Sequence, residues 1–294
     1  MAAGRLMARR VNILQVPGPN DEAWRHSIAQ QCYAHGWRYY EHWGSTKLDI
    51  DPEVDCVVIA WSRPEEMEAD AVWLVQSCAP EDAIRALMDR FGATADEAPI
   101  HVSNRYLFAT DLALAGAPVS TLYDTNLQIP DLGSVKNPTP SCVQPADANG
   151  LLSLYNSIPP RLSSMSWPAS CLDYSESTLV IRNNNGVLVQ LAGRRRILTQ
   201  GPHISLPRGR WRVNFQIALD THGPTVLRFE WGDAEIEETL QHSGVYEISL
   251  AGYLDENVLA NIKTMLIVPK LDGEITFGDL IVNPADAATP HQPL

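Results

Sequence analysis

"QGPHISLPRGRWRVNF", residues 200–215, is the stretch whose reading decides the fold. Pro207-Arg208-Gly209 divides it into two runs, and beyond the turn the apolar Trp211, Val213, Phe215 and Ile217 alternate with Arg212, Asn214 and Gln216. A period of two sends the first set to one face of a strand and the second to the other. The spacing therefore predicts two strands around a tight turn, with Trp211 in a core. Runs of the same kind extend in both directions: "TLVIRNNNGVLVQLAG", "RRILTQ", "TVLRFEWG", "EIEETLQ", "GVYEISL", "TMLIVPK" and "GEITFGDLIVN". Asn184, Asn185 and Gly186 tolerate the positive φ that a hairpin turn needs. Some eight short strands separated by Gly, Pro, Asn and Asp predict an all-β jelly-roll sandwich over 177–285. Within it, "AGYLDENVLANIK" (251–263) reads as a loop with a helical turn, and the small, Pro-rich tail 286–294 as flexible.

Toward the N-terminus the pattern changes. Residues 126–176 are dense in Pro and Ser and read as a connector, with one short helix at 146–155. Residues 1–125 alternate apolar runs with helical periods: "VNILQVPG", then "DEAWRHSIAQQCYAHG"; "WRYYEHW"; "VDCVVIAWS"; "AVWLVQSC", then "APEDAIRALMDRFGA"; and "IHVSN", read as a strand, followed by the helical "RYLFATDLALAGA" and "VSTLY". This alternation predicts a Rossmann-like α/β domain with a mostly parallel sheet. The fold class expected is thus a Rossmann-like α/β N-terminal domain, a connector and an all-β jelly roll.

The 294-residue chain has a formal net charge of −13, which argues against a nucleic-acid partner because such binding rests on clustered Lys and Arg. The arginines at 194–196, 208, 210 and 212 read as solvated strand and turn faces. No run reaches the roughly 18–20 apolar residues that span a bilayer, and the start lacks a secretory apolar stretch, so a cytoplasmic protein is expected. Cys32, Cys56, Cys78, Cys142 and Cys171 are odd in number and contain no C-x-x-C pair, which suits reduced thiols better than disulfides or zinc.

Gly201, Pro202, Leu206, Gly209, Trp211 and Val213, together with the closing "GEITFGDLIVN", resemble the paired strands of galactose-binding-like jelly rolls of the carbohydrate-binding-module type. "IHVSNRYLFATDLALAGAPVSTLYDTN" resembles a Rossmann-type domain of two-domain glycosyltransferases through Ser103, Asn104, Asp111, Leu112, Gly116, Ala117 and Pro118. The first resemblance implies a fold that often handles carbohydrate. The second implies a nucleotide-sugar-type domain without the second half that would close a cleft.

Ligands of open α/β sheets gather at the carboxyl ends of strands. The walls of such a site are expected to include Gly18, Asn20, Ser62, Ser77, Cys78, Ser103, Asn104, Asp124 and Asn126. Cys78, ahead of a helix, is read either as a thiol activated by the helix dipole, with His101 as its base, or as a buried structural cysteine, the preferred reading. Asp49 and Asp51 form an Asp-x-Asp pair able to share Mg²⁺ or Mn²⁺, but a polar loop ahead of "VDCVVIAWS" is the preferred reading. No cofactor is expected, since neither G-x-G-x-x-G nor a P-loop is present.

In the sandwich, sugar recognition requires an aromatic platform with polar groups around it. Trp211 and Trp231 are the candidate platforms, with alternation favouring core for Trp211. Arg182, Asn183, Asn184, Arg212, Asp220, His222 and Asp233 are the candidate polar partners. The function expected is that of a glycan-related accessory or binding protein whose jelly roll takes carbohydrate or a protein partner, beside a degenerate nucleotide-sugar-type α/β domain. An active glycosyltransferase working in the strand-end cleft, and an assembly protein using the sandwich as its interface, are the alternatives.

Overall fold

The computed structural model describes residues 8–42, 49–62, 71–139, 150–175, 180–183, 186–255 and 259–285. The chain forms two compact units, Met1–Asp147 with Tyr155–Arg161, and Ala148–Leu154 with Leu162–Leu294.

In the first unit, β1 (Arg10–Gln15), β2 (Arg38–His42), β3 (Cys56–Ala60), β4 (Val72–Ser77) and β5 (Val119–Thr121) form one parallel sheet in the order β2-β3-β1-β4-β5. β3 is apolar on both faces and β1 mostly so, with Asn12 and Gln15 as buried exceptions, and both strands are almost wholly buried, as central parallel strands must be when helices cover the sheet. Three helices connect the strands: α1 (Asp21–Ala34), α2 (Pro80–Phe91) and α3 (Glu97–Leu114). α1 buries Trp24, Ile28 and Cys32 at four-residue spacing. α2 starts on Pro80, where a missing N–H costs nothing, and stops at Gly92, whose φ of 68° needs no Cβ. Against the sheet, Leu14, Trp73, Val75, Phe108 and Leu112 make a core cluster, with Trp73 and Phe108 edge-to-face at 5.5 Å.

Two local expectations are corrected here. "IHVSN" is not a strand. Thr94 and Glu97 close a reciprocal capping box, Glu97 N donating to Thr94 Oγ1 at 3.2 Å and Thr94 N to Glu97 Oε2 at 3.1 Å. Helix α3 runs from there through residue 104, burying Ala98, Val102, Tyr106 and Ala109. Helical burial spacing overrode the β-branched propensity of Ile100 and Val102. Within the Pro-rich stretch, β6 (Asn126–Ile129) and β7 (Gly133–Lys136) pair as a hairpin belonging to the first unit. Leu127, Ile129 and Val135 alternate inward, and Asp131 and Gly133 take the positive φ of its turn.

In the second unit, β8 (Met165–Trp167), β9 (Asp173–Tyr174), β10 (Val180–Asn183), β11 (Gly186–Gln190), β12 (Arg196–Gln200), β13 (Pro202–Ser205), β14 (Gly209–Asp220), β15 (Thr225–Trp231), β16 (Ala234–Leu240), β17 (Gly244–Leu254), β18 (Leu259–Leu266) and β19 (Glu274–Pro284) form two antiparallel sheets. One has the order β10-β11-β19-β14-β17, with β8 also on β19; the other is β16-β15-β18-β12-β9, with β13 also on β18. Taking β11 to β19 in turn, with β12 and β13 as one strand, this order is that of a jelly-roll sandwich. The inward faces meet through Phe215 and Phe229 at 5.9 Å and Trp167 and Trp231 at 6.0 Å. Phe229 and Trp231 are fully buried, each worth on the order of 3 kcal/mol in transfer from water.

β14 has the burial that its alternation requires: Trp211, Val213, Phe215, Ile217 and Leu219 are buried, their neighbours outward. The expected loop at 251–263 is instead the continuation of β17 and most of β18, because Leu250, Gly252 and Leu254 keep the inward register; residues 256–258 lie outside the described residues. No helix among the described residues is long and apolar enough to cross a membrane.

Candidate functional site

The quoted stretch supplies one side of a polar corner at the end of the sandwich. The Pro207-Arg208-Gly209 turn delivers Arg208, and Arg210, the second residue of β14, lies directly opposite Tyr253 of β17, so the two side chains share the outer face. Tyr253 is 41% exposed. Its hydroxyl accepts a 2.6 Å hydrogen bond from Arg208 Nε, and the guanidinium lies 6.0 Å from the ring centroid. Arg208 also pairs with Asp255 at 3.7 Å. From the β15–β16 turn, Asp233 Oδ1 accepts a 2.6 Å bond from Tyr253 N.

This corner is built on close backbone approach. A Cβ on Gly252 would sit 2.1 Å from Trp231 O, and one on Gly232 2.6 Å from Tyr253 O, so only glycine allows the turn to seat on β17. The result is an exposed aromatic ring with guanidinium donors and carboxylate acceptors around it.

Trp231 is not the platform. It is fully buried, its Nε1 donates to Trp211 O at 3.1 Å, and Trp211 itself is 2% exposed and bonded to Pro207 O at 2.8 Å. Of the polar candidates whose side chains are described, only Asp233 has a hydrogen bond to Tyr253. Asp220 and His222 lie at the other end of β14, about 30 Å of strand away. There Asp220 accepts from Ser243 Oγ and the exposed His222 pairs with Asp272 at 3.2 Å. Arg212 is one outward position along from Arg210. Arg182 and Asn183 belong to β10, but their side chains, and all of Asn184, lie outside the described residues.

In the α/β unit, the crevice between the carboxyl ends of β1 and β4 is closed by packing. A Cβ on Gly18 would come within 2.6 Å of Cys78 Sγ and 2.7 Å of Leu122 Cδ1. Gly18 N donates to the buried Asp21, Gly18 O accepts from Arg90, and Arg90 grips Asp21 at 2.5 and 2.8 Å. Asn20 takes the helix N-cap position with its side chain on Thr139 O. Ser77 is buried and bonds Ser120 O. The Cys78 thiol donates to Pro17 O and lies beside Tyr106, and burial raises its pKa far above the usual thiol range, so the activated-thiol reading fails. Ser103, buried in mid-α3, bonds Ile100 O, and Asn104 is on the exposed side of that helix, so neither lies at a strand end. Asp124 accepts from Thr121 N in the loop after β5, and Asn126, at the start of β6, donates to Thr125 Oγ1. Asp51 pairs with Arg38 at 3.8 Å and accepts from Glu53 N, and no metal-binding group of three or more His, Cys, Asp or Glu occurs among the described residues.

An open cleft lies instead over the carboxyl ends of β1 and β3. It has a volume of about 360 Å³ and is lined by Pro17, Trp61, Ser62, Leu87, Phe91, Gly92 and Ala93, with Glu97, His101 and Arg105 from α3. The last three recur every four residues and so share one helix face. Of this lining the strand-end rule anticipates only Ser62. The shared face of Glu97, His101 and Arg105 was concealed because α3 was divided into a strand and a helix between Asn104 and Arg105. Tyr253 was missed for a related reason, since ending β17 at Leu250 leaves no register from which to place it.

No family model matches the sequence, and no curated protein matches it. Among solved structures, PfGH50B aligns over 43% of this chain and 24% of its own, at 10% identity and a TM-score of 0.33. TmCBM61 in complex with β-1,4-galactotriose aligns over 39% and 87%, at 12% identity and 0.29. The carbohydrate-binding module CBM6cm-2 from Cellvibrio mixtus lichenase 5A, in complex with cellotriose, aligns over 41% and 97%, at 12% identity and 0.28. The chain thus spans about a quarter of the first of these proteins. At such scores the jelly-roll description rests on this chain's own strand order.

Proposed function

We propose that this chain is an accessory carbohydrate-binding protein whose sandwich receives a sugar ring on Tyr253. The observation that carries the reading is the setting of that ring: exposed, tied at its hydroxyl to Arg208 and at its backbone N–H to Asp233, with Arg210 beside it. A pyranose offers an apolar C–H face and a rim of hydroxyls. The aromatic face covers the first, and guanidinium donors and carboxylate acceptors satisfy the second. Fixing the ring before binding removes an entropy cost from association. The α/β unit is read as a degenerate nucleotide-sugar-type domain of Rossmann-like character. Its parallel sheet, with the chain leaving β1 first to one side and then to the other, supports that reading, and the packing of Gly18 on Cys78 accounts for the degeneracy.

A glycan array followed by calorimetry on the full chain tests the proposal. Binding that falls at least tenfold in Tyr253→Ala and in Asp233→Asn, with the melting temperature nearly unchanged in Tyr253→Ala, supports it. Absence of any glycan ligand, or affinity indifferent to Tyr253, contradicts it.

The assembly reading is favoured by one separate observation. Cross-strand register places Val245, Ala218, Thr276, Leu188 and Ile181 in a single row on the outer face, with Val245 69% and Ile181 48% exposed. A second copy of the chain packing on this row predicts a dimer in light scattering that Val245→Lys dissociates; a monomer at micromolar concentration removes the reading.

A further inference from the structure

The cleft over β1 and β3 has no part in the sandwich reading, yet it holds a cation that has no counter-ion among the described residues. Arg105 Nε donates to Trp61 O at 2.7 Å and Nη1 to His101 O at 2.9 Å. Both acceptors are neutral carbonyls. A guanidinium has five N–H donors, and among the described residues Nη2 has no hydrogen-bond partner and no carboxylate lies within ion-pair distance of Arg105. Most other arginines of this unit do have an acid: Arg9 has Asp55, Arg25 has Asp21 and Glu41, Arg38 has Asp51, Arg85 has Asp82 and Arg90 has Asp21.

Glu97, the acid among the residues that line the cleft, is committed elsewhere. Its Oε2 receives Thr94 N at 3.1 Å and Thr94 Oγ1 at 2.9 Å, and those two donors hold its pKa below the usual carboxylate range. The two carbonyls fix the plane of the Arg105 fork, which is the pre-organisation that bidentate recognition of an oxyanion uses. Beside it, Trp61 and Phe91 meet edge-to-face at 6.2 Å, and Pro17 and Leu87 complete an apolar wall. The exposed His101, one turn before Arg105, adds a polar group at the rim. The volume of about 360 Å³ is that of a small-molecule site.

We propose that this cleft binds a small organic anion, a carboxylate or phosphate carried on an apolar or aromatic body, with Arg105 as the counter-charge and Trp61, Leu87 and Phe91 as the apolar surface. Burial lowers the pKa of Arg105, in keeping with a cation short of solvation that an anion restores.

Calorimetry on the full chain with inorganic phosphate, UMP, UDP and 4-hydroxybenzoate, each organic probe beside its neutral analogue uridine or 4-hydroxybenzyl alcohol, tests this. The phosphate and carboxylate arms separate the two forms of the anion. The expected result is saturable binding of at least one organic anion, at least tenfold tighter than its neutral analogue and weakened by salt. Arg105→Gln and the cleft-filling Ala93→Trp each reduce it at least tenfold, while Tyr253→Ala leaves it unchanged. Because Arg105 also ties Trp61 to α3, near-UV circular dichroism checks that its variant is folded; if it is not, Ala93→Trp and the neutral analogues decide. Binding of none of the probes, equal binding of the neutral analogues, or binding that survives Ala93→Trp overturns the proposal.

Discussion

Trp231→Ala separates the core from the proposed sugar site. The side chain is fully buried, packs edge-to-face on Trp167 at 6.0 Å and gives its N–H to Trp211 O at 3.1 Å. Truncation leaves a cavity between the sheets and costs about 3–5 kcal/mol, as large aromatic-to-alanine changes in cores do. The aromatic pair and the hydrogen bond to a buried carbonyl place the value in the upper half of that range. At about 2–4 °C per kcal/mol, melting falls by on the order of 10 °C. Differential scanning calorimetry of the wild type and variant measures it, with Tyr253→Ala as the comparison, expected to lose less than about 1 kcal/mol because its ring is exposed. A Trp231→Ala protein that melts within about 3 °C of wild type while losing glycan affinity refutes the reasoning, since Trp231 would then be the platform and not the core.

Gly252→Ala places a Cβ 2.1 Å from Trp231 O, a backbone atom that cannot swing aside, and is expected to cost about 3 kcal/mol or prevent folding, read by soluble yield and melting temperature. Asp21→Asn removes the carboxylate that holds Arg90 and Gly18 N, and with Arg90 partly exposed the expected loss is about 2–3 kcal/mol by chemical denaturation. Burial pushes the Cys32 thiol up to about 12 and Cys78 higher still, so neither is alkylated by iodoacetamide in the native protein at pH 8, while both react in denaturant; mass spectrometry reads the sites. The same shifts set a pH dependence. Above about pH 8.5 the unfolded chain loses thiol protons that the folded chain keeps, so stability declines between there and about pH 12, and a rise over that window contradicts the burial.

The sandwich was legible because alternation in β14 and β15 is strict, because β19 keeps it on either side of the irregularity at Gly278-Asp279, and because the turns between strands carry Gly, Pro, Asn or Asp. The parallel sheet was legible because β3 is uniformly apolar and β1 and β4 are mostly so, with Asn12, Gln15, Gln76 and Ser77 buried among them as polar exceptions. What escaped was local competition between signals. At 100–104, β-branched residues concealed a helix whose start is set by Thr94 and Glu97. At 126–136, Pro and Ser concealed a hairpin whose alternation is only four residues long. At 251–263, read as a loop, Gly252 marks close approach to Trp231 and not a break in the strand. The first and the last of these hid a site residue, since Arg105 and Tyr253 can be placed only once α3 and β17 have their full lengths. The opposition of Arg210 to Tyr253, and of Asp233 to the backbone of β17, depends on pairing between distant strands and has no local signature.

The most direct test of the central claim is a ¹H–¹⁵N chemical-shift titration of the assigned protein with whichever oligosaccharide the glycan array selects. The account predicts saturable shifts concentrated at the amides of Arg208, Arg210, Asp233 and Tyr253, with the strands around Asp220 and His222 unchanged. Shifts confined to that far end, or to the outer-face row of Val245 and Ile181, contradict it.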